Sequence, residues 1–549
     1  VQRLLRKKPA NFIVSAHPSA SVDSNASSLA PRTAAVIDVG STAIRMEIAE
    51  IGVDGHVRTL EALQQPVSLG RDTFTTGRIR QSTIEECVRI LKGFRRVMAE
   101  YGVTDPSQIR AVATSSVREA ANRETFLDRV YMATRINVEA IDEAEETRLT
   151  YMAVQEILDS DPALKRDDTL VIEVGGGDTE LLLIRDGFIS YSNTFRLGTL
   201  RIRETLGAQP TSPQRAWATL NKQIQLLVDQ IHRSVPISRV PRIIALSGDA
   251  RFAASQLLPG WNQTQWARID TRTFASFARK VAAQSPDDLV RTYRITYPEA
   301  DVLGPALLSF AQLARVFEAT ELLVPKTNLR HGLLREAVAG TVWTPQFMAQ
   351  VEHSAITLGA KYAFDERHAR QVADLATRLY RELQGDHMLP PRYELILRMA
   401  ALLHEIGLFV NNRSHHKHSM YLIMNSDLFG LSHADMTLIA MIARYHRRAS
   451  PQPYHEGFAT LSRDSRLVVS KLAAILRVAD ALDRNHMQQV RDIRFTREEG
   501  RLVIWVRDVE DLTLERLALK EKGALFEDVY GMSVVFRTES SAEGLTADV

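Results

Sequence analysis

Apolar and polar positions alternate with period two near the start of the folded chain, and the alternation is broken by a short turn that recurs later. Thr33–Val39 is an apolar run carrying one acid, Asp38; after Gly40, Ser41 and Thr42 the residues Ile44, Met46 and Ile48 alternate with Arg45 and Glu47. Period two predicts a half-buried strand over Ala43–Ile51. The pattern returns at Val171–Glu180: a strand with Glu173, the turn Gly175-Gly176-Gly177, then a second strand over Thr179–Arg185 beginning at Thr179 and Glu180. Glycines in such a turn let backbone N–H groups converge into an anion-binding concavity. Carboxylates on either side, Glu173 and Glu180, supply what metal-assisted phosphoryl chemistry needs. Taken alone, Val171–Glu180 reads equally well as a glycine-rich hairpin with solvated acids. The second copy at Val36–Thr42 decides for a duplicated domain with a ligand-binding cleft between its halves.

Periodicity and breakers divide the rest. Residues 1–32 read as a disordered tail, Arg3, Arg6, Lys7 and Lys8 preceding a Ser/Ala/Pro-rich stretch; an organelle transit segment is the other reading. Residues 33–152 form the first half, with a helix over Ser82–Tyr101 that Ser82 or Thr83 caps and Gly102 stops. Residues 153–343 form the second, with a helix over Pro213–Ser234 and a strand over Arg242–Leu246 leading into Ser247-Gly248-Asp249. From 344 to 487 the periodicity is helical and histidines concentrate; 488–549 returns to strands and one helix, a small α/β domain with a loose end. At Asp142–Arg148 a cluster of acids opens a helix, where it suits the macrodipole whatever else it does.

Composition narrows the function classes. With 549 residues the chain is long enough for roughly three or four domains. A net charge of +2 gives no global field for nucleic acid. Cys87 is the single cysteine, which excludes an intramolecular disulfide and fits a reducing, cytoplasmic compartment. No apolar run approaches the roughly 18 residues of a membrane span. Two local basic runs, His415-His416-Lys417-His418 and Arg444-Tyr445-His446-Arg447-Arg448, read either as solvated surface or as a track for a polyanion, whose binding would weaken with salt.

Several motifs in order then carry a resemblance: the Asp38 strand-turn, Ser116-Val117-Arg118-Glu119-Ala120, Glu145-Glu146-Thr147-Arg148-Leu149, the Gly175-Gly176-Gly177 turn ending at Glu180, Leu197-Gly198, and Leu329-Arg330-His331-Gly332-Leu333. Together they resemble the exopolyphosphatase/guanosine-pentaphosphate phosphatase (Ppx/GppA) family over about 33–487. The resemblance implies an α/β fold: a duplicated ribonuclease H-like (actin-like) pair, followed by an all-helical HD-like domain and the small α/β domain. It implies a phosphoric anhydride hydrolase that releases terminal phosphate from inorganic polyphosphate or guanosine pentaphosphate with Mg²⁺, and a homodimer. Glu146 matches the residue that orients or deprotonates the attacking water, Glu173 a metal-associated acid, and Glu180 a second essential acid. Asp38 would work with Glu173 near Mg²⁺. The turns Gly40, Ser41, Thr42 and Gly175, Gly176, Gly177 would hold phosphoryl oxygens, and Arg45, Arg118 and Arg330 would contact phosphate.

The chain departs from that pattern. Glu173 stands where Asp is usual, Thr42 where Asn is, Asp178 where Ser or Thr is, and Asp249 follows Ser247-Gly248 where a Gly-Thr pair is expected. Glu173 lengthens a ligand arm by a methylene, and Asp178 adds a charge that would either ligate metal or repel substrate. The HD-like pattern is matched by His368, His404 with Glu405 (usually Asp), His418, His446 and Asp480, an imidazole–carboxylate set that suits several transition metals. Core or surface histidines without metal are the plain reading of the same residues. Two alternatives therefore stand beside the leading one: chemistry at His404/Glu405 in the helical domain, or a non-catalytic sensor of polyphosphate or guanosine tetraphosphate.

Overall fold

The computed structural model describes residues 31–206, 213–262, 265–340, 343–447, 449–507, 509 and 511–539. Most of the expected tail, the loose end after 539, and Arg448 of the second basic run lie outside the described residues.

The first sheet contains β1 (Arg32–Val39), β2 (Ala43–Ile51), β3 (Val57–Pro66), β4 (Ile109–Ala113) and β5 (Val138–Ala140), ordered β3-β2-β1-β4-β5. The second contains β6 (Thr169–Val174), β7 (Thr179–Arg185), β8 (Phe188–Phe195), β9 (Arg242–Leu246), β10 (Ala267–Asp270) and β11 (Glu321–Val324), ordered β10-β11-β9-β6-β7-β8. Without the edge strand β10, the two orders coincide strand for strand, β6 replacing β1. The pairings coincide too: a three-strand antiparallel meander followed by two parallel strands. The duplication read from the repeated hairpin is thus a duplication of the whole sheet.

Burial refines one expectation. The alternation in β2 predicts one wet face, yet β2 is buried almost throughout, Glu47 included. Helix Leu329–Ala339, from the second half, crosses back and packs Leu329 and Leu333 against Val36 and Ala49 of the first sheet. Glu47 accepts a hydrogen bond from the Thr59 hydroxyl there at 2.8 Å. On the other face, helix Gln81–Glu100 buries Ile84, Cys87, Leu91, Phe94 and Met98 at helical spacing. Its start is not capped by Ser82 or Thr83. Asp72, on helix Leu69–Thr76, reaches across and accepts from Arg80 N at 3.0 Å and from the Thr83 hydroxyl at 2.7 Å. A carboxylate distant in sequence does the work of the local cap.

Helix Glu143–Ser160 runs unbroken through residue 152 and links the two sheets. The helical region comprises Pro345–Lys361, Glu366–Glu382, Arg392–Leu403, His415–Met424, His433–Arg444 and Arg463–Ala481. It is followed by a sheet of β12 (Ile493–Glu498), β13 (Arg501–Arg507) and β14 (Ser533–Glu539), with helices Thr513–Lys522 and Ala524–Tyr530 crossing between the parallel strands β13 and β14. Leu502, Ile504 and Phe526 belong to the same hydrophobic cluster as the bundle, so this last unit shares the bundle's core. Among the described residues no helix is long and apolar enough to cross a membrane.

The two halves meet at their hairpin turns. Gly40 N bonds to Ala43 O at 3.1 Å and Gly175 N to Asp178 O at 2.9 Å, so both turns close in the same way. A Cβ on Gly176 would lie 3.0 Å from Ser41 Cβ, and one on Gly177 would lie 2.3 Å from Ser115 Oγ. Behind them, a Cβ on Gly198 would sit 2.1 Å from the Gly177 carbonyl carbon. The glycines are therefore demanded by close approach. Gly198→Ala has only backbone to push against and is expected to cost about 3 kcal/mol or more. Gly93→Ala, in a helix with nothing within 4 Å, should be neutral or stabilising by about 1 kcal/mol. Urea midpoints of the two variants against wild type check the contrast.

Candidate active site

Between the hairpins lies a cleft of about 560 Å³. Asp38, Gly40, Ser41, Thr42, Arg45, Glu146, Glu173, Gly175, Gly176, Gly177, Glu180 and Arg330 all line it. Residues separated by nearly three hundred positions thus converge on one space. Arg118 stands just behind the lining, in contact with Glu146.

Each side chain is placed by its element. Asp38 and Glu173 occupy equivalent positions, two residues before the glycine that opens each turn. Across the hairpins the register pairs Asp38 with Arg45 and Glu173 with Glu180. One hairpin thus offers an acid and a base, the other two acids. Thr150, on helix Glu143–Ser160, donates its hydroxyl towards Glu180 at 2.9 Å and Glu173 at 3.2 Å. Glu146 lies in the first turn of the same helix, which Asp142 caps by accepting from Glu145 N at 2.9 Å. The acids there do serve capping, as their position suggests, but Glu146 is spared for the cleft. Arg118 donates to Glu146 at 2.7 Å and to the Ile141 carbonyl at 3.0 Å.

The departing residues find partners. Asp178 sits between two guanidiniums, 3.4 Å from Arg118 Nη2 and 3.4 Å from Arg201 Nη2. Its charge is therefore largely answered within the protein. Arg201 also donates to the Gly177 carbonyl at 2.8 Å and stacks its guanidinium 4.2 Å from the Phe74 ring centroid. Thr199 N and Leu200 N take the carbonyls of Gly175 and Gly176 at 3.0 and 2.9 Å, so all three glycine carbonyls of the turn are occupied from behind. Asp249 follows Ser247, which caps helix Gly248–Leu257 by accepting from Ala250 N. It faces Arg45 and Arg251, and burial raises its pKa to about 6 against the pull of those two arginines.

Electrostatics mark the cleft as strained. Burial pushes Glu146 up to about 7, opposed by Arg118. Burial also pushes Glu173 up to about 7, opposed by the Thr150 hydroxyl, and raises Glu180 well above the carboxylate range, with Glu146 and Glu173 adding repulsion. Facing these acids, burial lowers Arg251 to about 10 and lowers Arg330, and in both the neighbouring arginines contribute. Arg330 reaches Asp38 at 3.5 Å and Glu47 at 3.7 Å, and Arg45 reaches Asp38 at 3.7 Å. Arg45, Arg251 and Arg330 form a cationic wall whose mutual repulsion an anion would relieve. Arg251, Arg201, Thr150 and Asp249 in this role are not apparent from sequence pattern; the one available signal is that Asp249 and Arg251 follow a strand end equivalent to that of β4.

The helical-domain residues form a second, separate cluster. His368, His404, Glu405, His446 and Asp480 come together there, but His418 does not. Helix His415–Met424 turns His415, Ser419 and Ile423 inward at a four-residue spacing, which leaves His418 off that face. His415 takes the place expected of His418. Since His415 and His446 are buried, they are not surface contacts for a polyanion.

Two copies of one sheet, each closing a carboxylate-bearing hairpin on a shared cleft, define the duplicated actin-like class of α/β protein. The chain belongs to the Ppx/GppA phosphatase family: residues 48–339 match that family, and residues 351–522 match its domain III. A guanosine-5'-triphosphate,3'-diphosphate pyrophosphatase of Aliivibrio fischeri (strain MJ11) is 23% identical over 471 residues, covering 82% of this chain and 88% of the relative. The protein of the same name from Aeromonas hydrophila is 24% identical over 449 residues, covering 81% and 86%. Among solved structures, an exopolyphosphatase from Cytophaga hutchinsonii shares the fold with a TM-score of 0.51 at 21% identity, covering 57% of this chain and 100% of that one. The expected family and fold class stand, and with them a phosphatase-type enzyme.

The raised carboxyls give a signed prediction for the metal-free protein. A carboxyl with a native pKa above its unfolded value costs nothing at pH 4, where both states are protonated. The cost then grows by up to about 1.4 kcal/mol per pH unit until the native group ionises. Glu180→Gln removes that cost. Its melting temperature in chelator should match wild type near pH 4 and exceed it increasingly from pH 5 to 8. A constant offset across pH would place the effect in packing instead.

Proposed function

We propose that the cleft hydrolyses a terminal phosphoanhydride of a polyanionic substrate, inorganic polyphosphate or guanosine pentaphosphate, by direct attack of water. The observation that carries this reading is Glu146: a buried carboxyl held near pH 7, facing the space between two glycine turns and opposite three arginines. A base with a pKa near the working pH has the best compromise between being deprotonated and being basic enough to take a proton. Arg118 fixes one Glu146 oxygen and leaves the other for a water. With the glycine carbonyls engaged from behind, the turns are free to offer N–H groups to phosphoryl oxygens. Arg45, Arg251 and Arg330 would neutralise the departing chain, and Asp178, held by Arg118 and Arg201, adds little net repulsion.

Asp38, Glu173 and Glu180 supply only oxygen donors, and two of these buried acids share a single hydroxyl donor, leaving acceptor capacity unfilled. That donor set suits a hard dication such as Mg²⁺, which keeps waters and completes its shell with substrate phosphates. When bound, it would offset charge on the phosphoryl oxygens. The longer arm of Glu173 is compatible with this, since it hangs from the same Thr150 hydroxyl as Glu180.

Phosphate release from long-chain polyphosphate and from guanosine pentaphosphate, with Mg²⁺, tests the reading. Glu146→Gln should lower kcat by about 10²–10⁴ while leaving KM near wild type. Undiminished turnover removes Glu146 from the chemistry. Tight substrate binding by wild type with no release under any divalent ion would instead favour the sensor.

A further inference from the structure

The helical domain contains a pocket of ligand atoms that the cleft chemistry does not use. His368 Nε2, His404 Nε2 and Glu405 Oε2 are buried and have no hydrogen-bond partner. Such atoms are rare in folded proteins because an unpaired buried polar atom costs about 1–3 kcal/mol. They point into one space. His368 Nε2 lies 3.9 Å from both Glu405 Oε2 and Asp480 Oδ1, and His404 Nε2 lies 4.0 Å from Asp480 Oδ1. His368, His404 and Asp480 are all nearly inaccessible, at 1%, 0% and 3% exposure.

The imidazoles are oriented from outside. His404 Nδ1 bonds to the Ala401 carbonyl at 2.7 Å, His446 Nδ1 to the Ala443 carbonyl at 2.7 Å, and His415 Nδ1 to the Asn412 carbonyl at 3.1 Å. A carbonyl only accepts, so each of these Nδ1 atoms carries the proton and each Nε2 presents a lone pair. His368 Nδ1 contacts the Asp483 carboxylate at 2.8 Å, a partner of the kind that orients metal-ligating histidines. His415 Nε2 and His446 Nε2 face each other at 3.1 Å. Two lone pairs at that distance repel unless a cation lies against both. The separation matches the edge of a coordination shell with metal–nitrogen bonds of about 2.1 Å.

One cation is already present. Lys522, at the end of helix Thr513–Lys522 in the last α/β unit, forms an ion pair with Asp480 Oδ2. It leaves Asp480 Oδ1 and Glu405 Oε2 facing the histidines. With neutral imidazoles, Glu405, Asp480 and Lys522 sum to one uncompensated negative charge.

We propose that this pocket binds a divalent transition metal through His368 Nε2, His404 Nε2, Glu405 Oε2 and Asp480 Oδ1, with His415 and His446 as further nitrogen donors across Glu405, and that Lys522 competes with the metal for Asp480. The mixed imidazole–carboxylate donors select the manganese-to-zinc series over Mg²⁺ and Ca²⁺. Lys522 lowers the affinity by holding one ligand, and so couples metal occupancy to the seating of the last α/β unit on the bundle.

Cobalt(II) is the direct probe. The chelator-stripped full chain is titrated with Co²⁺ under anaerobic conditions, and visible absorption and bound metal per chain are read. Imidazole-ligated, low-coordinate Co²⁺ absorbs strongly, whereas the carboxylate-only cleft between the hairpins gives weak octahedral bands. The expected result is a saturable strong band at a stoichiometry of one or two, lost in His404→Gln and in Asp480→Asn. In Lys522→Met the same band should saturate at Co²⁺ concentrations lower by about tenfold or more. Absence of the band in both wild type and Lys522→Met, with circular dichroism unchanged, overturns the site. A band in wild type that Lys522→Met does not shift, or weakens, overturns the role of Lys522.

Discussion

Glu146, Glu173 and Glu180 are buried together, and most of what surrounds them serves to keep them so. Burying a carboxylate is costly unless a cation or a set of donors answers it. Here the answer is partial. Arg118 meets Glu146, one Thr150 hydroxyl is shared by the other two, and the arginines Arg45, Arg251 and Arg330 stand across the cleft. The protein alone thus holds acids that tend to protonate beside arginines that repel one another. A dication with an anionic chain satisfies both sides at once. This is the sense in which the site is prepared for a phosphorylated ligand: its unfavourable charges are disposed so that binding relieves them.

The duplication explains how one fold obtains such asymmetric chemistry. The two hairpins are equivalent in turn length, in closing hydrogen bond and in the position of the first acid. They differ at the residue opposite that acid, Arg45 in one and Glu180 in the other. One hairpin is suited to hold an oxyanion beside a charge-paired Asp38. The other is suited to hold a cation. The glycines at 176, 177 and 198 allow the turns to approach until serine side chains touch glycine Cα atoms, which brings the complementary pairs within one substrate's length.

Much of this was legible in the chain. Strand, acid, turn and strand are local signals, so both hairpins, the duplication and most cleft-lining residues could be read from spacing and motif. What could not be read depends on contacts between distant segments. Asp72 capping a helix it does not belong to, helix Leu329–Ala339 drying the outer face of β2, and Arg201 neutralising Asp178 leave no periodic trace. Arg251 enters the cleft only because β9 occupies the place in its sheet that β4 has in the first. The same limit explains His418: adjacent histidines in one helix are equal candidates until packing fixes which face turns inward. Lys522 lies outside any histidine pattern, and its bearing on Asp480 follows only from the last α/β unit sharing the bundle's core.

The central claim is that Glu146, tuned by burial against Arg118, takes the proton from water. The pH dependence of kcat/KM for wild type and Arg118→Met tests it most directly. Wild type should show a rising limb with an apparent pKa near 7. Loss of the guanidinium that favours the ionised form should move that limb by about one pH unit or more to higher pH. The substrate's own titration is common to both proteins and cancels in the comparison. A limb that stays in place, whatever the fall in rate, would contradict the account.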